Sequence, residues 1–243
     1  MPYQNTKAPT TALILAAGFG TRLRPLTENT PKALIEVGGV PMLGRVIAML
    51  EEAGIKDIIV NTHYLAPQIN DFLRSYPKIK ISHEPEILET GGGILNVMKN
   101  IANEDLLIVN SDVLYSPFHD SPFIKLLNAW DPTQMEFLLL AQDKTHTNHP
   151  GDLDVKSGVI DFDSKDKPYI FSGAYIVAPS FFAGYKVSKF RVPEVLMQNP
   201  GKKERYHAIV NHTPWFDIGT IQALAVANEF IANYATKAAQ SNY

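Results

Sequence analysis

The sequence predicts an α/β fold built on a doubly wound, mostly parallel sheet, and three observations carry that expectation. Short apolar runs alternate with stretches of helical period as far as Ala141. Several of the runs, such as ALIL and LLIV, are continuously apolar, as in strands buried on both faces. The loop after the first run is rich in glycine, which permits positive φ and close approach of a ligand to the main chain. With 243 residues the chain fits one large domain.

Each element follows in order. Residues 12–15 form a short buried strand. Residues 41–53 (PMLGRVIAMLEEA) have helical spacing, with proline early and Gly54 as the stop. A strand over 57–61, a helix over 66–75 and a strand over 79–83 come next. Residues 90–101 (TGGGILNVMKNI) read as a glycine turn opening a helix. Then come a strand over 105–110, a helix over 121–130 and a strand over 136–141. After the polar loop 144–152 the pattern changes. A hairpin over 152–155 and 158–163, a strand over 169–177, a helix over 192–198 and a strand over 205–210 are expected. Residues 220–239 form the longest helix, with Leu224, Ala227, Phe230, Ile231 and Tyr234 on one face.

Composition narrows the function. The chain is 45% hydrophobic and 19% charged, the balance of a water-soluble globular protein. A net charge of −3 argues against general nucleic-acid binding. The absence of cysteine excludes disulfides and thiolate metal sites. No apolar run approaches the ~20 residues of a membrane span, and MPYQNTKAPT lacks the apolar core of a signal peptide. A cytoplasmic protein with a frayed, polar first ten residues is expected. No Gly-x-Ser-x-Gly elbow points to a serine hydrolase.

The chemistry concentrates in residues 13–34, LILAAGFGTRLRPLTENTPKAL. Gly18 and Gly20 free the backbone, Thr21 and Arg22 begin a segment able to turn helical, and Arg22, Arg24 and Lys32 add cations. Amides that converge beside clustered cations suit a polyphosphate. The P-loop and the dinucleotide fingerprint do not fit. One residue separates the two glycines, no Gly-Lys follows, and Leu23 stands where a third glycine is needed.

Two carboxylates stand out further along. Asp112 follows a buried strand in IVNSDV and serves either as a turn or helix cap or as a Mg²⁺ ligand. Asp217, in WFDIGT, precedes the long helix, for which Thr220 is the better placed cap. ETGGGI at 89–94 reads as close packing of a base or sugar ring on bare backbone, with a flexible hinge as the alternative. His146, His149, His207 and His212 lack a third ligand at metal spacing and read as surface or substrate-contact residues.

Residues 15–34 match the signature LAAGxGTRLxPLTxxxPKxL at each fixed position, and the chain resembles the sugar-phosphate nucleotidyltransferase family. ETGGGI, NSDV at 110–113, FSGA at 171–174 and WFDIGT add to the resemblance, which covers most of the chain. It implies a Rossmann-like nucleotide-diphospho-sugar transferase fold with a small sugar-binding lobe. The nucleotide half would span about 11–143 and the sugar half 144–243, with no C-terminal β-helix.

It further implies Arg22 and Lys32 as catalytic cations, and Ala16, Ala17, Gly18, Gly20, Thr21, Asn61, Glu84 and Gly91 around the nucleotide. Glu89, Asn110, Gly151, Ser172 and Gly173 would hold the sugar, and Asp112 and Asp217 a Mg²⁺ cofactor. ETGGGI with FSG most resembles members that transfer a uridylyl group from UTP to N-acetylmuramic acid α-1-phosphate in cell-wall recycling. Transfer to another hexose or heptose 1-phosphate, or a catalytically silent nucleotide-sugar sensor, is the alternative. Lys189, Arg191 and Arg205 are candidates for the lactyl carboxylate. Asp166-Lys167-Pro168 departs from the Glu-Lys-Pro of larger relatives, with Lys167 a candidate for reaching a phosphate. The partners expected are UTP and a sugar 1-phosphate, with no nucleic acid or membrane; a monomer is compatible with the sequence.

Overall fold

The computed structural model describes residues 3–101, 104–145 and 147–240. The first half contains β1 (Thr11–Leu15), β2 (Glu36–Val37), β3 (Val40–Pro41), α1 (Met42–Ala53), β4 (Asp57–Thr62) and α2 (Ala66–Leu73). It continues through β5 (Lys80–His83), α3 (Glu89–Met98), β6 (Leu106–Asn110), β7 (Val113–Tyr115), α4 (Pro122–Ala129) and β8 (Phe137–Asp143). The remainder holds β9 (Asp154–Lys156), β10 (Val159–Asp161), β11 (Tyr169–Val177), α5 (Val192–Gln198), β12 (Tyr206–Asn211), β13 (Trp215–Asp217) and α6 (Ile221–Gln240). His146, one of the four histidines singled out above, and Met1 and Pro2 of the expected frayed start lie outside the described residues.

Among the described residues a nine-stranded sheet runs β5-β4-β1-β6-β11-β8-β12-β10-β9. The first four strands pair in parallel, and β12 is parallel to β8. Only β11 and β10 run against the rest, so the sheet is mixed and mostly parallel, a Rossmann-like α/β fold. The expected alternation holds to β6, but β8 is not the next strand in space. The crossover through α4 is long enough to skip one place, and β11 fills it, pairing with β6 on one edge and β8 on the other.

Side-chain alternation explains the two layers. Ile14, Val60, Leu107 and Val109 meet Leu43 and Ile47 of α1, Ile69 of α2 and Phe123 of α4. Leu13, Ile59, Ile108 and Tyr175 face the other way, toward Ile94 and Met98 of α3 and Val195 of α5. A smaller cluster of Leu23, Val37, Met42, Leu114, Ile218 and Ala227 seats α6. Gly54 closes α1 at φ +88°, a conformation open to glycine at no steric cost.

Two local expectations need correction. The segment from Tyr3 is docked rather than frayed: Asn5 Nδ2 donates to the carbonyls of Leu127 (3.0 Å) and Trp130 (2.7 Å), the last turn of α4 and the residue after it. The triple glycine is neither a turn nor a hinge but lies within α3. Helix formation there is disfavoured by about 1 kcal/mol per glycine relative to alanine, and packing of the chain's own segments offsets it. A Cβ on Gly91 would stand 2.3 Å from Phe190 Cε2, one on Gly92 2.0 Å from the Ser188 carbonyl, and one on Gly93 2.7 Å from Glu84 Oε1. The bare face of Gly91 is therefore covered by Phe190, not open to a base.

Candidate active site

The carboxyl ends of β1, β4 and β6 open on one side of the sheet, where ligands of such sheets bind. A hydrogen-bond relay fixes this floor. Ala16 N–H donates to Asn61 Oδ1 (2.7 Å), and Asn61 Nδ2 donates to Glu84 Oε1 (2.8 Å). Glu84 Oε2 accepts from Leu88 N–H at 2.9 Å. Glu84 and Asn61 are both buried, and both oxygens of Glu84 serve the protein, so its carboxylate holds the β1 loop and α3 in register rather than facing a base freely. Ser111 Oγ donates to Leu15 O at 2.8 Å and ties β6 to the same loop.

The glycine loop itself is shaped by a residue the sequence reading passed over. The buried Thr27 hydroxyl donates to Gly20 O at 2.8 Å, with Gly20 at φ +64°. The PLT of the signature is the local sign of this contact. Thr21 and Arg22 then enter a single 3₁₀ turn, Thr21–Leu23, as the sequence suggested. A Cβ on Gly18 would meet nothing, so that face of the loop is open.

Two cavities adjoin here. One of about 170 Å³ is lined by Leu15, Ala17, Gly18, Asn61, Glu84, Ile87, Glu89 and Thr90. The other, about 710 Å³, is lined by Arg22, Thr147–Pro150, Asp152, the β11 residues Ile170–Ser172, and Trp215–Asp217 with the start of α6. Asn110 and Asp112 line both and stand at the junction.

Four charges meet at that junction. Lys32 Nζ forms a short ion pair with Asp112 Oδ2, and Arg22 Nη2 lies 3.7 Å from Asp217 Oδ2. Asp217 arrives through β13, which pairs antiparallel with β7 and sets Asp217 opposite Val113. This small pairing was not anticipated from sequence, because three residues on each side carry no periodic signal. Burial pushes the Asp217 carboxyl above its ordinary value, and the charge of Asp112 adds to the shift, while Lys32 and Arg22 oppose it.

A magnesium ion takes carboxylate oxygens together with phosphate oxygens and water. Asp112 and Asp217 fit such an ion, being hard oxygen donors close enough for the charge of Asp112 to act on Asp217, a repulsion that a cation relieves. Among the described residues no group of three or more acidic or histidine side chains forms a closed protein cage.

The residues expected around a sugar fall in different places. Glu89 lines the smaller cavity at φ +59°, a strained value for a residue with a side chain, with Lys189 3.9 Å away. Gly173 is required by its neighbour: at φ +86°, a Cβ there would stand 2.7 Å from Asn110 Nδ2. Ser172 is fully buried; its carbonyl accepts from Tyr115 Oη (3.0 Å) and Trp215 Nε1 (3.1 Å), so it anchors β13 to β11. Gly151 packs against the Lys167 carbonyl and does not itself line the cavity, and Lys167 does not line either one.

Arg205 lies at the opposite end of β8 with Glu136 (3.4 Å), and Arg191 Nε pairs with Glu194 at 2.9 Å. Neither lines the larger cavity, and Arg205 is excluded from it by its position. Asp152 was missed from sequence; it lines that cavity and its Oδ2 accepts from Phe171 N–H at 2.9 Å. The turn HPGD directly before a hairpin was the available signal. His149 beside it also lines the cavity, and its Nδ1 accepts from Gly151 N–H at 3.0 Å.

Residues 11–234 match the family model described as nucleotidyl transferase. The chain belongs to this family and is an enzyme of the nucleotidyltransferase class. It is 32% identical over 205 residues to the N-acetylmuramate alpha-1-phosphate uridylyltransferase of Caulobacter vibrioides, covering 80% of each chain. A protein of the same description from Neisseria meningitidis serogroup B is 31% identical over 228 residues, covering 89% of this chain and 96% of that one. The crystal structure of UDP-glucose pyrophosphorylase complexed with UDP-glucose superposes with a TM-score of 0.76 over 93% of this chain and 99% of that one. At 17% identity this is a likeness of fold. Among the described residues no helix is long and apolar enough to cross a membrane.

Proposed function

We propose that the enzyme transfers a uridylyl group from UTP to the 1-phosphate of N-acetylmuramic acid, releasing pyrophosphate. The observation that carries the reaction type is the junction itself: Asp112 borders both cavities and pairs with Lys32, and the pair of Arg22 and Asp217 stands at the same junction. The choice of sugar and nucleotide is supported by the two relatives above. A role in cell-wall recycling within the cytoplasm belongs to the same proposal. So does the division into a nucleotide half, about 11–143, and a sugar half from 144, for which the support is that the smaller cavity is lined by first-half residues alone.

The reaction needs no protein base. A sugar phosphate has a second pKa of about 6, so its oxygen is already anionic at neutral pH. That oxygen forms a bond to the α-phosphorus, and the bond from the α-phosphorus to the bridging oxygen of pyrophosphate breaks. The obstacle is repulsion between anions and their orientation. Lys32 and Arg22 stabilise charge as it develops, and the Gly18–Thr21 main chain cradles the triphosphate. Asp112 and Asp217 would hold a magnesium ion, which when bound supplies further positive charge against the phosphates. Asn110, for whose side chain the bare Gly173 leaves room, lines both cavities and can orient the sugar phosphate between them.

The test is a matrix of nucleoside triphosphates against sugar 1-phosphates, read by pyrophosphate release. UTP with N-acetylmuramic acid 1-phosphate should give the highest kcat/KM. Faster turnover of GTP with mannose or heptose 1-phosphate overturns the substrate assignment and keeps the class. No turnover with any pair favours a nucleotide-sugar sensor.

A further inference from the structure

We infer that Gly219 is a positioning residue for Arg22, the bare surface on which its guanidinium rests. A Cβ built on Gly219 would stand 2.8 Å from each of Arg22 Cζ, Nη1 and Nη2. Equal distances to three atoms of one plane place that Cβ over the face of the guanidinium, not at its edge. The Arg22 side chain therefore lies flat on the main chain at Gly219, with Nη2 3.7 Å from Asp217 Oδ2.

Gly219 cannot retreat from this contact. On one side, Ile218 N–H donates to the Asp112 carbonyl at 2.9 Å. On the other, Thr220 Oγ1 accepts from Ala223 N–H at 3.1 Å and caps α6. Arg22, by contrast, is 65% exposed and rests in an open cavity wall. A long exposed side chain samples many rotamers unless something confines it. The Gly219 surface and the Asp217 carboxylate are what confine this one, so both walls of the Arg22 berth come from the β13–α6 turn.

Gly219 is not in the left-handed region, so alanine suits its backbone, and the three atoms nearest the new methyl belong to the tip of a flexible side chain. Alanine should displace the guanidinium while sparing the fold. The inference rests on the reading of Arg22 as a catalytic cation, and displacement by even ~1 Å can cost on the order of 100-fold in rate.

Gly219→Ala, Arg22→Ala and the double variant test it, by turnover of UTP with the sugar 1-phosphate, by thermal unfolding and by the Arg22 Nε–H resonance. That resonance is identified by its loss in Arg22→Ala. Gly219→Ala should unfold within a few degrees of wild type, lose about 10- to 100-fold in kcat with a small change in KM for UTP, and shift the Arg22 resonance. The double variant should be no slower than Arg22→Ala. An unshifted resonance, or losses that multiply in the double variant, overturns the inference. So does a Gly219→Ala protein that fails to fold cooperatively. A slow Arg22→Ala beside a normal Gly219→Ala overturns the inference alone. A normal Arg22→Ala removes the catalytic reading of Arg22, and the positioning role with it.

Discussion

The main-chain N–H of Ile218 donates to the carbonyl oxygen of Asp112 across 2.9 Å, joining residues more than a hundred positions apart. With the β13–β7 pairing, this bond carries Asp217 to the turn after β6. The consequence is electrostatic. The charge of Asp112 raises the cost of ionising Asp217, a residue with no sequence relationship to it, and each carboxylate faces a cation from the signature loop.

The first prediction concerns Asp217 and pH. Its carboxyl titrates above the ordinary value in the folded protein, because of burial first and of Asp112 second. The native state then binds a proton more tightly than the unfolded chain, so stability falls as pH rises from the ordinary value through the raised one. Asp217→Asn should therefore unfold at a higher temperature than wild type at pH 7 without ligand, and the gap should close below about pH 4. The lost Arg22 contact is exposed and worth little. Thermal scans between those pH values check this; a variant less stable at pH 7, by an amount independent of pH, would contradict it.

Lys32 gives a second. Its Nζ pairs with Asp112 Oδ2, an oxygen that a divalent cation would also take. Lys32→Met should slow turnover by about 100-fold, the typical worth of a cation set against developing transition-state charge. The same variant should bind Mg²⁺ more tightly than wild type when no nucleotide is present, because the competing ammonium is gone. Calorimetric titration with Mg²⁺ reads this directly, and weaker binding in the variant would argue that Lys32 does not guard the carboxylate.

The triple glycine supplies a third. Alanine favours a helix over glycine by about 1 kcal/mol, so propensity alone predicts that Gly92→Ala stabilises α3. The structure predicts the reverse. The new methyl would stand 2.0 Å from the Ser188 carbonyl, a main-chain atom that cannot swing away, so the loss should be about 1–3 kcal/mol. Gly91→Ala, which meets the Phe190 ring, should cost less, since a ring can tilt. Denaturant midpoints of the two variants rank these costs; a Gly92→Ala protein at or above wild-type stability would show that the 188–190 segment yields.

How much of this was legible follows from what is local. The boundaries of β11 and α5 match the expected 169–177 and 192–198, and Gly54 stops α1, because periodicity and stop residues act within a few positions. The loop from Leu15 to Leu34 was legible for the same reason. What sequence did not show is pairing at a distance. The place of β11 between β6 and β8, the cover that Ser188 and Phe190 lay over α3, and the engagement of both Glu84 oxygens depend on which segment arrives to fill a space. The N-terminal segment from Tyr3 looked free because the partners of Asn5 are main-chain carbonyls, which leave no mark in composition.

The most direct test of the account is a double-mutant cycle on Asp112 and Asp217, with turnover measured as pyrophosphate released from UTP and N-acetylmuramic acid 1-phosphate across a range of Mg²⁺. Groups that act as a unit are not additive. Asp112→Asn and Asp217→Asn should each lower kcat by about 100-fold or more, a loss of the size that a single group set against transition-state charge supplies, and each should demand more Mg²⁺. The double variant should be within about tenfold of the slower single one. An Asp217→Asn enzyme with wild-type turnover and unchanged Mg²⁺ dependence would contradict the account, and so would single losses that multiply in full.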